Sequence, residues 1–376
     1  MLQNITLVIL SAGNSTRFNS KTKKQWLRIE NDPLWLHVTK KLISYYNFDN
    51  VILAANKNEI DFMYNFIEDE NIKIIQGGDT RQESIKNALQ NVNTQYVMIT
   101  DVARACIPKQ MILDLISHKN NADCIVPYLN VSDTVIYEEQ TINRDNVKLI
   151  QTPQLSNTKA LKLAIETNID FTDDSSAIKA NGGTIKYILG SQEAKKLTFS
   201  KDIQNIPCLK KPSNQTFTGF GYDVHQFEDD KPMFLGGVKL DEPYGFKAHS
   251  DGDVLIHSLI DALLGACAAG DIGEFFPDTD NKYKGANSSK LLKHIDTFIS
   301  NVGYEIVNID ISIIAQQPKI NPYKNLIKQS LSNILNLPKQ FINIKATTSE
   351  KMGFIGRSEG IAVHSIATLK YYNWSK

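Results

Sequence analysis

ITLVILSAGNSTRF, residues 5–18, decides the fold. Its first six residues form a near-continuous apolar run, and the small-residue loop SAGNS follows directly. A run this short and this apolar fits a strand covered on both faces, as in a parallel sheet. Three further runs repeat the signal: Asn50–Ala55, Ile72–Gln76 and Tyr96–Asp101. Helical patterns lie between them, over Pro33–Tyr46, Glu59–Asp69 and Thr80–Gln90. This alternation predicts an α/β domain with a mostly parallel sheet and helices on both faces. Thr134–Gln151 reads as an extended arm or hairpin, and Thr184–Leu189 as a last strand.

The pattern then changes. IPCLKKPSNQ, residues 206–215, has two prolines and no apolar period, so it is the linker candidate. The predicted organisation is 1–207 as a first domain, 208–216 as linker and 217–376 as a second domain. Helices over Asp253–Ala269, Asn287–Asn301 and Asn321–Asn336 are interspersed there with strands over Phe217–His225, Glu305–Gln316, Asn343–Thr347 and Gly360–Leu369. That mixture predicts a compact α+β domain.

The totals narrow the function classes. The chain has 376 residues, too many for one ordinary core. Lys plus Arg is 41 and Asp plus Glu is 41, so no bulk charge draws it to nucleic acid or an acidic membrane surface. No apolar run is long enough to span a bilayer, and the start carries no basic leader, so a cytoplasmic location is expected. The four cysteines, Cys106, Cys124, Cys208 and Cys267, form no CxxC pair; no disulfide framework is expected, and each reads as a small core or surface residue.

A small-residue loop at the carboxyl end of a parallel strand lets backbone amides approach phosphate oxygens. Gly13 and Ser15 lie in the first such loop, with Arg17 inside it and Lys24 just beyond. GGDTRQES, residues 77–84, follows another strand and opens a helix, so that Arg81 and Ser84 face the loop side together. TDVARA, residues 100–105, ends a third strand with Asp101 and Arg104. Taken singly, Asp101 could be a helix cap and the arginines solvated surface. Three such segments converge on one edge of a parallel sheet, where ligands bind.

These segments, with KKQ at 23–25, SDT at 132–134, QTPQ at 151–154, TDDSSA at 172–177 and KLT at 196–198, resemble the 2-C-methyl-D-erythritol 4-phosphate cytidylyltransferases over about residues 5–205. The resemblance implies a Rossmann-like nucleotidyltransferase domain. It implies Arg17, Lys24 and Lys196 as catalytic cations around the triphosphate. Gly13, Ser15, Gly77, Arg81, Ser84 and Asp101 would bind CTP, Asp101 with magnesium or manganese. Thr134 and Arg144 would hold methylerythritol phosphate, Arg144 from across a dimer interface. The chain departs from the family pattern at three positions, with Ser15 for a loop glycine, Thr100 for a histidine and Ala105 for a proline.

Five of the seven histidines follow residue 220. In GFGYDVHQF, Asp223 and His225 are one residue apart on a strand and project to one face. His257 falls one turn into the helix opened by AHSDGDV. A surface pair is the plain reading of Asp-x-His alone. With His257 added, Asp-His-His offers zinc three ligands and an open fourth position, the pattern of a catalytic site. Asp251 and Asp253 could equally cap the helix, and Arg357 and Glu359 read as an ion pair.

DVH, AHSDGDV, LIDALLGA, GDIG, FPDTD, IAQQPK and KATTSEKMGFIGR resemble, in order, the 2-C-methyl-D-erythritol 2,4-cyclodiphosphate synthases over about residues 217–370. The resemblance implies zinc on Asp223, His225 and His257, and a second ion, magnesium or manganese, on Glu350. It implies His249, Ser250, Asp261, Asp278, Ala315, Lys319, Ala346, Thr347, Thr348, Phe354 and Arg357 as substrate-binding, and Asp251 as catalytic. Family members are trimers with shared sites, so dimer and trimer contacts together suggest a hexamer.

The two implied reactions belong to the methylerythritol phosphate route to isoprenoids but are not consecutive. CMP passes from CTP to methylerythritol phosphate; later, the CDP-methylerythritol phosphate is cyclised with release of CMP. A kinase must act between them, and the chain has no GxxxxGK[ST] loop, so a separate kinase is a candidate partner. The competing reading is that the first domain serves another alcohol phosphate or only assembly.

Overall fold

The run Ile5–Leu10 forms β1, with all six residues buried. The computed structural model describes residues 4–166, 169, 171–206 and 208–375; Pro207 of the linker stretch lies outside them. By contacts the chain divides into Met1–Lys211 with Trp374–Lys376, and Pro212–Asn373. The break falls inside the 208–216 stretch. The sequence places the last residues in the second domain, whereas the contacts count them with the first unit, where the Trp374 indole donates to the Arg28 carbonyl at 2.7 Å.

In the first unit β1 is followed by a short hairpin of β2 (Arg28–Ile29) and β3 (Asp32–Pro33), then α1 (Leu34–Tyr45), β4 (Asn50–Ala55), α2 (Ile60–Tyr64), β5 (Ile72–Gln76), α3 (Arg81–Leu89) and β6 (Tyr96–Asp101). After these come α4 (Lys109–Ser117), β7 (Cys124–Asn130), β8 (Val135–Tyr137), β9 (Gln140–Ile142), β10 (Lys148–Ile150), β11 (Gln154–Asn157), α5 (Thr158–Ile165), α6 (Asp174–Ala180) and β12 (Ile185–Leu189). The sheet order is β10-β7-β11-β6-β1-β4-β5, with β12 beside β7. The run β6-β1-β4-β5 is parallel, whereas β10 and β11 pair antiparallel. The ends of β1, β4 and β6 therefore open on one edge.

Local chemistry sets these elements. Thr80 and Glu83 form a reciprocal capping box at the start of α3, which fixes where Arg81 enters the helix. The helical pattern Glu59–Asp69 is shorter than expected. After Tyr64 the chain tightens into turns, with Phe66 N donating to Met63 O and Ile67 N to Tyr64 O, and Phe62 and Phe66 pack against Trp26. The arm expected over Thr134–Gln151 is shorter than that: the hairpin β8–β9 carries Ile136 at 67% exposure and Tyr137 at 62%, and Lys148–Ile150 returns to the main sheet as β10 beside β7.

The cysteine expectation needs correction at one pair. Cys106 and Cys208 are joined as a disulfide, with Cα atoms 5.9 Å apart. Folding brings the linker beside the loop after β6 across 102 residues of sequence, a proximity that spacing alone hides. Cys124 and Cys267 are buried and take part in no disulfide.

The second unit holds β13 (Thr216–Asp229), β14 (Met233–Leu235), β15 (Val238–Leu240), β16 (Tyr244–Phe246), α7 (Val254–Ala266), α8 (Ile272–Phe275), α9 (Ser288–Asn301), β17 (Tyr304–Ile314), α10 (Lys324–Leu335), β18 (Ile342–Thr347), α11 (Gly353–Gly356) and β19 (Gly360–Tyr371). Its main sheet runs β16-β13-β19-β17-β18. Helix α7 lies on β13 at Gly219 and Gly221. A Cβ there would stand 2.1 Å from the Ala262 carbonyl and 1.9 Å from that of Ser258. Alternation puts Asp223 and His225 on the same face of β13 as these glycines, so the glycines bring the helix backbone down beside the two candidate ligands.

Candidate active sites

At the carboxyl ends of β1, β4 and β6 lies a cavity of about 430 Å³. Gly13, Arg17, Lys24, Arg81, Ser84, Asp101 and Lys196 line it together. Lys196 Nζ stands 2.7 Å from Asp101 Oδ2, and Arg81 Nε stands 3.5 Å from Asp101 Oδ1. Arg81 also donates to Asp174 Oδ1 at 2.8 Å. Among the described residues neither Arg17 nor Lys24 is in a close ion pair, so both keep their charge directed at the cavity they line.

These charges set the ionisation of the site. Burial opposes the charge on Asp101, but Arg81, Lys196 and Arg104 outweigh it and hold the carboxyl below its ordinary value. Burial lowers the Lys24 ammonium, and the nearby Lys196 and Arg17 push it the same way against the pull of Asp101. Burial raises Asp174 despite Arg81. A pocket that crowds three cations around one carboxylate is built for polyanionic phosphate.

Ser15 and Gly77 shape this cavity from behind. Ser15 has φ 56°, in the left-handed region where glycine is easier. Its hydroxyl accepts from Lys24 N and donates to Gln25 Oε1, both at 3.1 Å. A Cβ on Gly77 would come 2.5 Å from Ala12 Cβ, so only glycine allows the two loops to meet. Thr100 and Ala105, the other departures, are buried and lie outside the cavity wall.

Some candidates lie elsewhere. Thr134 and Arg144 sit exposed on the arm, away from this cavity's lining, and Arg144 Nη1 donates to Ser132 O at 2.5 Å. Arg104 turns inward, to Thr152 Oγ1 at 2.8 Å and Ala194 O at 2.6 Å, which fastens the segment carrying Lys196. Sequence reasoning missed Asn14, Asn56 and Thr172 in the lining and Asp174 behind Arg81. Asp174 lies inside TDDSSA; Asn56 stands after a strand, with no motif to single it out.

In the second unit a cavity of about 730 Å³ is lined by Asp223, His225, His249, Ser250, His257, Asp261 and Asp278, along with Lys247, Phe276 and Tyr283. Asp223 Oδ2 lies 3.2 Å from His225 Nδ1 and 3.3 Å from His257 Nδ1. All three ligand atoms lie within 4.8 Å of one another. Asp223 Oδ2 and His225 Nδ1 are buried, yet neither makes a well-formed hydrogen bond. Donor atoms that converge without bonding each other fit a divalent metal. Burial opposes the Asp223 charge, but the two imidazoles hold its carboxyl down at about 2.

Partners behind the ligands fix them. His257 Nε2 lies 3.0 Å from Ser288 Oγ and 3.2 Å from Ser250 Oγ. Such outer contacts set the ring tautomer that leaves Nδ1 free. Asp251 accepts from Ser288 N at 3.0 Å and from its hydroxyl, so it stands behind His257 and not in the cavity wall. Asp253 is the buried cap of α7, accepting from Gly236, Gly237 and Ile256 amides. Asp261 accepts from Ile272 N at 2.9 Å, and burial raises its carboxyl.

The other candidates form a second locus. Ala315 N donates to Thr347 O at 3.0 Å, which joins the ends of β17 and β18, with Ala346 and Thr348 alongside. Thr348 Oγ1 donates to Glu350 at 2.9 Å. Phe354 is 40% exposed, and Arg357 pairs with Glu359 at 2.7 Å, the ion pair read from sequence. None of these, nor Lys319, lines the Asp-His-His cavity of the same chain.

Comparison with known proteins places both halves. The family model described as 2-C-methyl-D-erythritol 4-phosphate cytidylyltransferase matches residues 5–207, and that of the YgbB family matches residues 216–370. A relative named bifunctional enzyme IspD/IspF, from Aliarcobacter butzleri, is 63% identical over 99% of this chain and 99% of its own. Another of that name, from Campylobacter fetus, is 52% identical over 99% and 98%. The solved bifunctional IspDF from Campylobacter jejuni is 48% identical, covers 99% of this chain and 100% of its own, and superposes with a TM-score of 0.90. The chain belongs to the bifunctional IspD/IspF enzymes of the methylerythritol phosphate pathway, with a cytidylyltransferase domain followed by a cyclodiphosphate synthase domain.

Proposed function

We propose that the first cavity binds CTP and methylerythritol phosphate through Arg17, Lys24 and Lys196, and that the second cavity folds the CDP-methylerythritol phosphate onto itself. The observation that carries the first assignment is the pair of cations, Arg17 and Lys24, that line the cavity without being held in a close ion pair. The attacking phosphate oxygen is already ionised, so no general base is needed. Fixed cations stabilise charge that builds as pyrophosphate leaves. Ser84 and Arg81, seated by the α3 capping box, hold the nucleoside side.

In the second cavity His249, Ser250, Asp261 and Asp278 hold the methylerythritol portion, so that its 2-phosphate meets the β-phosphorus and CMP departs. Positioning is the main service in such an intramolecular step. Zinc on Asp223, His225 and His257 would polarise the diphosphate, and magnesium or manganese at Glu350 and Asp101 would neutralise phosphate charge. Asp101 is engaged by Lys196 and Arg81, so it takes a metal only as CTP draws Lys196 away.

The locus of Ala315, Lys319, Ala346, Thr347, Thr348 and Glu350 serves the cavity of a neighbouring copy. Phe220 at 59%, Tyr222 and Val224 on β13 and Ile366 on β19 form an exposed apolar face suited to a trimer. The arm, with Ile136, Tyr137, Thr134 and Arg144, serves a dimer contact. Together these give a hexamer in the cytoplasm; no described helix is long and apolar enough to cross a membrane. A separate kinase supplies the intervening phosphorylation.

Paired variants test the division of labour. Lys24→Ala is expected to lower pyrophosphate release from CTP by at least about a hundredfold, with CMP release by the second domain unchanged. His257→Ala is expected to do the reverse. Loss of both activities in either variant would overturn the assignment of residues to two independent sites.

A further inference from the structure

Lys24 is one of four consecutive residues, Lys23–Trp26, of which the other three converge on a single carboxylate outside the cavity lining. Lys23 Nζ lies 2.5 Å from Glu59 Oε1. Trp26 Nε1 donates to Glu59 Oε2 at 2.7 Å, and Gln25 Nε2 approaches the same oxygen at 3.5 Å. Glu59, Gln25 and Trp26 are all buried, and Glu59 stands in the turn after β4. From the opposite side Gln25 Nε2 donates to Gly13 O at 3.0 Å, and Ser15 Oγ accepts from Lys24 N at 3.1 Å. The segment is thus clamped between β4 and the phosphate loop, and only Lys24 sends its charge into the cavity.

A lysine has a long flexible stem, and its ammonium can be placed no better than its backbone. Lys24 also sits in a crowd of like charge, with Lys196 and Arg17 nearby. Repulsion favours withdrawal, so something must hold the segment in place. We propose that Glu59 is a positioning residue for cytidylyl transfer, acting through Lys23, Gln25 and Trp26 to hold the backbone from which Lys24 reaches the phosphates, with Ser15 Oγ as the counter-brace. The inference rests on the reading that Lys24 contacts the CTP phosphates. Nothing in the sequence marks Glu59: it lies 35 residues beyond Lys24 in no motif, and the clamp exists only after folding.

The test is a double-mutant cycle in the full chain with Glu59→Gln, Lys24→Ala and both together, measuring kcat and KM for CTP by pyrophosphate release. Glu59→Gln is expected to lower kcat about tenfold and to change KM less than about threefold, as a misplaced group does. Combined with Lys24→Ala it is expected to cost nothing further, because Glu59 acts through Lys24. A wild-type kcat for Glu59→Gln, or a full additional loss on top of Lys24→Ala, overturns the proposal. If Glu59→Gln does not fold, Lys23→Met with Glu59→Gln removes both charges of the pair, the buried Glu59 and the half-buried Lys23. A wild-type kcat in that pair overturns the proposal equally, and a loss of about tenfold supports it. A wild-type kcat for Lys24→Ala alone defeats the underlying reading, a result that needs no change at Glu59.

Discussion

Ser15 shows how one departure from a family pattern is absorbed. The left-handed backbone at this position costs a non-glycine residue about 1 kcal/mol, and two side-chain hydrogen bonds of about 1 kcal/mol each offset it. Ser15→Ala keeps the backbone cost and loses both bonds, so the melting temperature is expected to fall, by about 1–2 kcal/mol of stability. Ser15→Gly removes cost and bonds together and is expected to lose less than Ser15→Ala, about 1 kcal/mol. Differential calorimetry of both variants checks the ordering; the reverse order would contradict it. At the same scale, Lys24 titrates below 10.5 because burial and its cationic neighbours disfavour its charge. Activity requires the cation, so kcat/KM is expected to fall as pH rises through that lowered value. Lys24→Arg, which stays charged, is expected to move the alkaline limb upward in a pH–rate profile. Residues with charge in short motifs, such as Arg17, Lys24 and the Asp223–His225–His257 set, were legible before folding. Glu59 and Asn56 were not, because their meaning is a three-dimensional contact.

Among elements, the parallel strands were the most legible. The runs Ile5–Leu10, Asn50–Ala55, Ile72–Gln76 and Tyr96–Asp101 coincide with β1, β4, β5 and β6 because burial on both faces leaves an unbroken apolar signature. Cys124–Asn130, which becomes β7, carries Pro127 and polar ends, and it gave no such signal. The Glu59–Asp69 helix is cut short at Tyr64, where the chain passes into i−3 turns with Phe66 N donating to Met63 O and Ile67 N to Tyr64 O. The glycines of β13 are the element on which the second site depends. Gly221→Ala would place a methyl 1.9 Å from the Ser258 carbonyl, so α7 must move and carry His257 from Asp223. Zinc content measured by elemental analysis is expected to fall well below one per chain in that variant, whereas a surface change such as Lys290→Ala leaves it unaltered. An undiminished zinc content in Gly221→Ala would contradict the role given to helix approach.

For the whole molecule, two active domains in one chain follow from two families read end to end, whereas the assembly does not. On the proposed assembly, the exposed apolar face of Phe220, Tyr222, Val224 and Ile366 serves a trimer and the exposed arm a dimer. Light scattering is expected to give six chains per particle, and Tyr222→Glu with Phe220→Glu to reduce it to dimers; a wild-type monomer would contradict both contacts. The account as a whole stands on one chain performing two separated steps of one route. Phosphorus NMR of the purified protein with CTP, methylerythritol phosphate and Mg²⁺ tests this most directly at the domain with the three departures. New diphosphate doublets growing together with free pyrophosphate are predicted, and Arg17→Ala should abolish them. Unchanged CTP resonances, from protein that still releases CMP from the cyclase substrate, would contradict the first activity and leave a monofunctional enzyme.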